Sequence, residues 1–179
     1  MPLSGGPFTR RRLALAIDAL DQLMSGSADL GQVGLGAGLG IMVSRATATL
    51  PQTTTAPIFT ITGGRVLVNL ILGEVTTVIQ TQTNNTQLVL DPESGAANTD
   101  ICGDLNISAD IVGTMYQVMG TAAGSSAMVD NLQQSALVAQ KRVFAAGDIA
   151  LTCGASNTGS VKWDIWYVPI DTGATIVAV

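Results

Sequence analysis

The sequence predicts a mainly β protein, an antiparallel β-sandwich or jelly roll with an N-terminal helix. Three observations carry this expectation. From residue 41 onward, short runs rich in Val, Ile, Thr and aromatics alternate with Gly, Pro, Asn, Asp and Ser, the pattern of strands and turns. No helical period recurs between those runs, so the βαβ rhythm of a parallel sheet is missing. Only residues 9–24 carry a clear helical stripe. A chain of 179 residues makes one domain with an appended arm, burying roughly two-thirds of its unfolded surface. The expected division is a helical arm and Gly-rich joint over 1–40 and a β-sandwich body over 41–179.

The arm reads TRRRLALAIDALDQLM over residues 9–24. Thr9 is placed to cap it, and Leu13, Ile17, Leu20 and Met24 follow at steps of four, three and four along one face. Asp18 and Asp21 lie off that stripe. Arg10, Arg11 and Arg12 stand in the first turn, where the helix dipole disfavours positive charge by roughly a few tenths of a kcal/mol each. They fit either a solvated cluster or a contact with a partner. Residues 25–40 hold six glycines and read as a flexible joint. That run lacks G-x-G-x-x-G spacing and follows a helix rather than a strand, which argues against a dinucleotide cradle.

In the body, strands are expected at 41–48, 57–62, 65–72, 74–82, 86–91, 114–121, 126–130, 142–145, 148–153, 160–168 and 173–178. Gly63-Gly64 and Gly73 read as turns, Asn84-Asn85 as a hairpin turn, and Asp91-Pro92-Glu93-Ser94-Gly95 as a turn or loop. The stretches 96–112 and 131–141 are less regular, and NLQQSALVAQKR suits a short helix. VKWDIWYVPI is the most informative run. Trp163, Ile165 and Tyr167 share one face, while Lys162, Asp164, Trp166 and Val168 share the other. Both faces carry something large, which suits a strand covered by the core on one side and a neighbour on the other. Pro169 ends it.

Composition narrows the chemistry. The chain has no histidine, two cysteines and a charged fraction of 12%, against about 25% in typical domains. Such a surface is either covered by sister chains or solvated by Thr, Ser, Asn and Gln. Without histidine there is no Ser-His-Asp or Cys-His system. Cys102 and Cys153 are too far apart in sequence for zinc-site spacing and are expected as reduced, buried hydrophobes, a disulfide between them being the alternative for an assembly that leaves the cell. Asp91 with Glu93, or Asp100 with Asp104, are the candidate carboxylate pairs for glycoside hydrolysis. Asp100, Asp104, Asn106 and Asp110 are a candidate calcium loop without EF-hand spacing. All sit in turn-rich sequence, where Asp serves local backbone bonds. Ser160 with Lys162 shows no sign of a pocket. No catalytic, metal or cofactor residue is therefore assigned. After residue 24, 11 acids face five bases, which disfavours broad nucleic-acid binding. No segment has a signal-peptide core or a membrane-spanning apolar run, so the chain is expected to be made in a cytoplasm.

The stretches LPQTTTAPIFTITGGRVLVNLILGEVTTVIQ (50–80) and CGASNTGSVKWDIWYVPIDTGATIVAV (153–179) resemble structural proteins of tailed-bacteriophage virions. The likeness is one of texture, Thr- and Gly-rich and poor in charge, without a diagnostic motif. It implies a capsid cement or decoration protein on the capsid exterior, assembled in the host cytoplasm and bridging neighbouring capsomers without catalysis. The implied partners are sister copies, as a homotrimer or a dimer, and the major capsid protein, with no direct nucleic acid, no membrane and no cofactor. Arg10, Arg11, Arg12, Leu13, Ile17, Leu20, Met24 and Trp166 are the expected contact residues. A head–tail connector, tail or spike component is the alternative within the virion, and a host-surface or glycan-binding module the alternative outside shell building.

Overall fold

The computed structural model describes residues 39–118, 128–132 and 141–179. These form two antiparallel sheets and, among the described residues, no helix. The strands are β1 (Ile41–Thr49), β2 (Thr55–Thr62), β3 (Val66–Thr77), β4 (Asn85–Pro92), β5 (Thr99–Asp100) and β6 (Leu105–Asn106). They continue with β7 (Thr114–Val118), β8 (Met128–Leu132), β9 (Arg142–Phe144), β10 (Gly147–Cys153), β11 (Ser160–Pro169) and β12 (Thr175–Ala178). The first sheet runs β1-β11-β3-β7-β8, with β9 also paired to β3. The second runs β12-β2-β10-β4-β5, with β6 also paired to β4. In each sheet a strand made late separates two made early: β11 lies between β1 and β3, and β10 between β2 and β4.

Alternation in β11 buries Val161, Trp163, Ile165 and Tyr167 on one face. They join one hydrophobic cluster with Ile58, Phe59 and Ile61 of β2, Leu88 of β4, and Ile149 and Leu151 of β10. One core cluster therefore draws on both sheets. Trp163 is its largest fully buried side chain. The Tyr116 ring lies 6.3 Å from the Trp163 ring, and its hydroxyl donates to Asp110 at 2.6 Å. Arg142 of β9 donates to the Ile101 carbonyl beyond β5, tying the first sheet to the second.

Several expectations need correction. The runs 65–72 and 74–82 are one continuous strand up to Thr77, and Gly73 is inside it rather than at a turn. Glycine is required there by a side chain: a Cβ at Gly73 would lie 2.8 Å from the Trp163 ring. Asn84-Asn85 is not a hairpin turn, because β3 and β4 belong to different sheets. Asn84 is instead fully buried, its backbone N–H donating to Asn106 at 3.0 Å and its side chain accepting from the Ala155 N–H at 3.1 Å. The stretch 96–112 supplies the two short strands β5 and β6. Gly63 and Gly64 do form a turn, both with positive φ, and Pro92 to Gly95 closes another. The helix expected over 9–24 and the joint up to residue 38 lie outside the described residues. So does most of the short helix expected in 131–142, of which Asn131 and Leu132 belong to β8.

The Gly63-Gly64 turn is clamped to the turn after β11. Asp171 accepts from the Arg65 guanidinium at 2.8 and 2.9 Å and from the Arg65 N–H at 2.8 Å. These bonds pull the Asp171 carboxyl from 3.8 down to about 2. A folded value below the unfolded one means the pair stabilises the fold above about pH 4, and that contribution fades as pH falls from 3.8 to about 2. Asp171→Asn is therefore expected to melt below the parent at pH 7 and to converge with it by about pH 2. The side chains are 59% and 35% exposed, so thermal melts should show a small gap. A gap that persists unchanged at low pH would assign the loss to packing rather than charge.

Candidate interaction surface

The two sheets present different outer faces. On the second, polar side chains pair across strands: Thr55 with Thr152 at 2.8 Å, Thr60 to Asp148 at 2.6 Å, and Thr62 with Thr175 at 3.1 Å. Such ladders suit water. On the first sheet, the strand period turns Lys162, Asp164, Trp166 and Val168 outward from the core. Register then sets their neighbours. Glu74 lies beside Lys162, with its carboxylate 2.7 Å from the ammonium. Ser44 and Leu72 flank Asp164, and Met42 and Leu70 flank Trp166. Leu67 lies beside Val168 and has Val143 of β9 on its other side.

The face is thus charged at one end and apolar at the other. Met42, Val168 and Val143 are 47%, 41% and 56% exposed, while Trp166 and Leu67 are partly buried. Single exposed apolar residues are ordinary. A patch continuous over β1, β11, β3 and β9 is the kind that marks an interaction site. Trp supplies a large, rigid contact area, which is why it recurs where binding energy is concentrated.

Of the contact residues read from sequence, Trp166 falls in this patch; Arg10, Arg11, Arg12, Leu13, Ile17, Leu20 and Met24 lie outside the described residues. Trp163 and Ile165, on the face of β11 opposite Trp166, are 2% and 0% exposed. Sequence reasoning missed Met42, Leu67 and Val143. Each comes from a different strand, and only the pairing register brings them to Trp166.

The candidates for chemistry are engaged elsewhere. Asp91 and Glu93 border a hollow of about 340 Å³ on the second sheet, together with Asp148, Thr60 and Thr62. Both carboxylates are exposed, without the apolar enclosure that acid catalysis on a glycoside needs. Asp100 accepts from Gln87 at 3.1 Å, Asn106 accepts from the Asn84 and Ser108 N–H groups, and Asp110 accepts from Tyr116. The hydrogen bond and charge of Glu74 raise the pKa of Lys162, the opposite of what a lysine base requires. Cys102 and Cys153 are free and buried, and burial pushes both thiols up. The Leu88 N–H at 3.2 Å from Cys102 and the Thr86 hydroxyl at 3.7 Å from Cys153 offset this only in part. They are small hydrophobes rather than nucleophiles. Among the described residues, no three His, Cys, Asp or Glu side chains cluster to hold a metal ion, and no helix is long and apolar enough to cross a membrane.

Compared with protein-family models, with curated proteins and with solved structures, the chain matches none.

Proposed function

We propose that this chain is a non-catalytic structural subunit of a tailed-phage virion, a capsid cement or decoration protein that bridges neighbouring capsomers. The apolar end of the first sheet's outer face, centred on Trp166, is the observation that carries this reading. A charged fraction of 12% and a contiguous apolar patch are costly in a free monomer and useful in a covered one. In this reading the two sheets face each other as an antiparallel β-sandwich or jelly roll, with an N-terminal helix over 9–24. The subunit works as a homo-oligomer, a trimer, on the capsid exterior against the major capsid protein. It needs no cofactor, membrane or direct nucleic-acid contact. Its work is mechanical: many modest contacts hold adjacent capsomers against internal pressure.

The test uses expanded capsid shells with the full chain and a Trp166→Ala variant. The parent should run as a multiple of 18.3 kDa in native mass spectrometry and saturate the shells. Truncating an interface Trp of this kind costs about 2 kcal/mol or more, so shell or sister-chain affinity should fall by about thirtyfold. Melting should change little, because Trp166 is outside the core cluster. A parent that stays monomeric at micromolar concentration and binds cells rather than shells would sink the proposal in favour of a host-surface module.

A further inference from the structure

We infer that the glycine-rich segment before the body is a strap rather than a free joint: residues 33–39 lie extended across the outer face of their own first sheet, over Leu67 and Val143. This goes beyond the assembly reading and holds whichever partner meets Trp166. The crossing begins within the described residues. The Asn69 side chain of β3 donates to the Leu39 carbonyl at 2.6 Å. Yet Leu39 stands just ahead of β1, and β11 separates β1 from β3. Neighbouring strands lie about 4.8 Å apart, which puts β1 and β3 about 10 Å from each other. An asparagine side chain and one hydrogen bond do not bridge that gap. Leu39 has therefore left the line of β1 and stands over β11.

Gly40 shows which face is crossed. With φ of 97°, it packs against the Tyr167 carbonyl and the Val168 side chain so closely that no Cβ fits. Val168 points away from the core and is 41% exposed, so the crossing is on the outer face. Register then gives the heading. Val168 lies beside Leu67 of β3, and Leu67 beside Val143 of β9. A chain running back from Gly40 through Leu39 toward Asn69 is aimed at those two side chains. Leu39 is joined to β1 through Gly40 alone, so the face it enters is its own.

The sequence supplies a second argument. Residues 33–40 read Val-Gly-Leu-Gly-Ala-Gly-Leu-Gly. Flexible joints set glycine among serine and other polar residues. Here apolar residues and glycine alternate with a period of two. An extended segment thus gathers Val33, Leu35, Ala37 and Leu39 on one face and bare glycine on the other. One face suits an apolar surface, and the other lets a second surface approach the backbone closely. The length fits as well: Ala37, about 7 Å beyond Leu39 in an extended chain, falls at Leu67 and Val143. The third argument is an orphaned atom. Asn69 is 5% exposed, and its Oδ1 has no partner among the described residues. A buried acceptor left unpaired is costly. An extended strap beside Leu39 brings backbone N–H groups to that oxygen, so Asn69 fastens it with both ends of the amide.

The experiment is disulfide mapping on the full-length chain. One double variant carries Ala37→Cys and Val143→Cys, the latter position 56% exposed. The comparison carries Ala37→Cys and Ile170→Cys, a position 46% exposed and just past the end of β11. Ile170 is two residues from Val168, whereas Val143 is two strand spacings away. A free joint hinged at Gly40 therefore reaches Ile170 at least as readily. A disulfide needs Cα atoms within about 7 Å. The parent, with Cys102 and Cys153 buried, is the blank. Mild oxidation should close the Val143 pair within one chain, at the mass of a monomer and several times faster than the Ile170 pair. Asn69→Ala should bring the two rates together, and a preference that survives it overturns Asn69 as the fastening. Equal rates without that change show a free joint and overturn the inference. Covalent multimers in place of the internal link overturn it too, by putting the segment on a neighbouring copy. Shell binding is read by a different measurement, so the assembly reading is judged apart from this one.

Discussion

Trp163→Ala is expected to lose roughly 3–5 kcal/mol of folding stability, the range for truncating a large buried aromatic. At roughly 2–4 °C per kcal/mol for a chain of this length, melting should fall by about 6–20 °C. The ring is 2% exposed and lies on β11, the strand that separates β1 from β3 in the first sheet. It meets Gly73 on the neighbouring β3 and, beyond it on the same face of the sheet, the Tyr116 ring of β7. Backbone hydrogen bonds hold the strands around it in place, so collapse into the vacated space is restricted and the cavity cost is high. Urea denaturation followed by circular dichroism measures the loss. A Trp163→Ala protein that unfolds at the parent's midpoint would mean that this face of β11 is wet.

The second large effect is reciprocal. Gly73→Val should cost roughly 1–3 kcal/mol in the parent, as overpacked cores do. A Cβ at this position would stand 2.8, 2.9 and 3.0 Å from three atoms of the Trp163 six-membered ring, which has no flexible end to swing aside. The φ of Gly73 is not among the positive ones, so backbone conformation does not demand glycine here. The prediction is therefore a coupling: in a Trp163→Ala background, the same Gly73→Val change should cost markedly less, because the ring it strikes is gone. Additive losses in the double-mutant cycle would show that Gly73 is needed for a reason other than the ring.

That pair also shows where sequence reading succeeds and where it stops. The alternation in 160–168 is legible because a period of two in large residues has one physical meaning, and the three residues it sets on one face, Trp163, Ile165 and Tyr167, are buried together. Gly73 misleads because a glycine in a run of Val and Leu has the local signature of a break; its actual cause, the Trp163 ring, lies ninety positions away in sequence. Asn84-Asn85 misleads for a related reason. Two asparagines suit a turn, yet Asn84 is used as a buried bracket between the Asn106 and Ala155 segments. β5 and β6, at two residues each, are shorter than any pattern can register. In the candidate surface, Trp166 is legible from its own strand. Met42, Leu67 and Val143 acquire meaning only through register, which no local period encodes.

The insertion of β11 between β1 and β3, and of β10 between β2 and β4, has a consequence for synthesis. A ribosome adds roughly 5–20 residues per second, so β1 to β4 wait several seconds for the strands that will separate and pair them. During that interval, among the described strands, β1 and β2 have no native partner, while β3 can pair only with β7 and β9 and β4 only with the two-residue β5 and β6. The pairing of Val43 with Ile165 closes a loop spanning most of the body, a contact whose entropy must be met before any reward arrives. Pairing at the centre of each sheet thus waits for β10 and β11, and until they are made the nascent chain carries Val- and Ile-rich segments that lack their main partners. Its many threonines and its turn glycines then have a second use. They keep those segments short and wet enough to stay dispersed until β10 and β11 arrive.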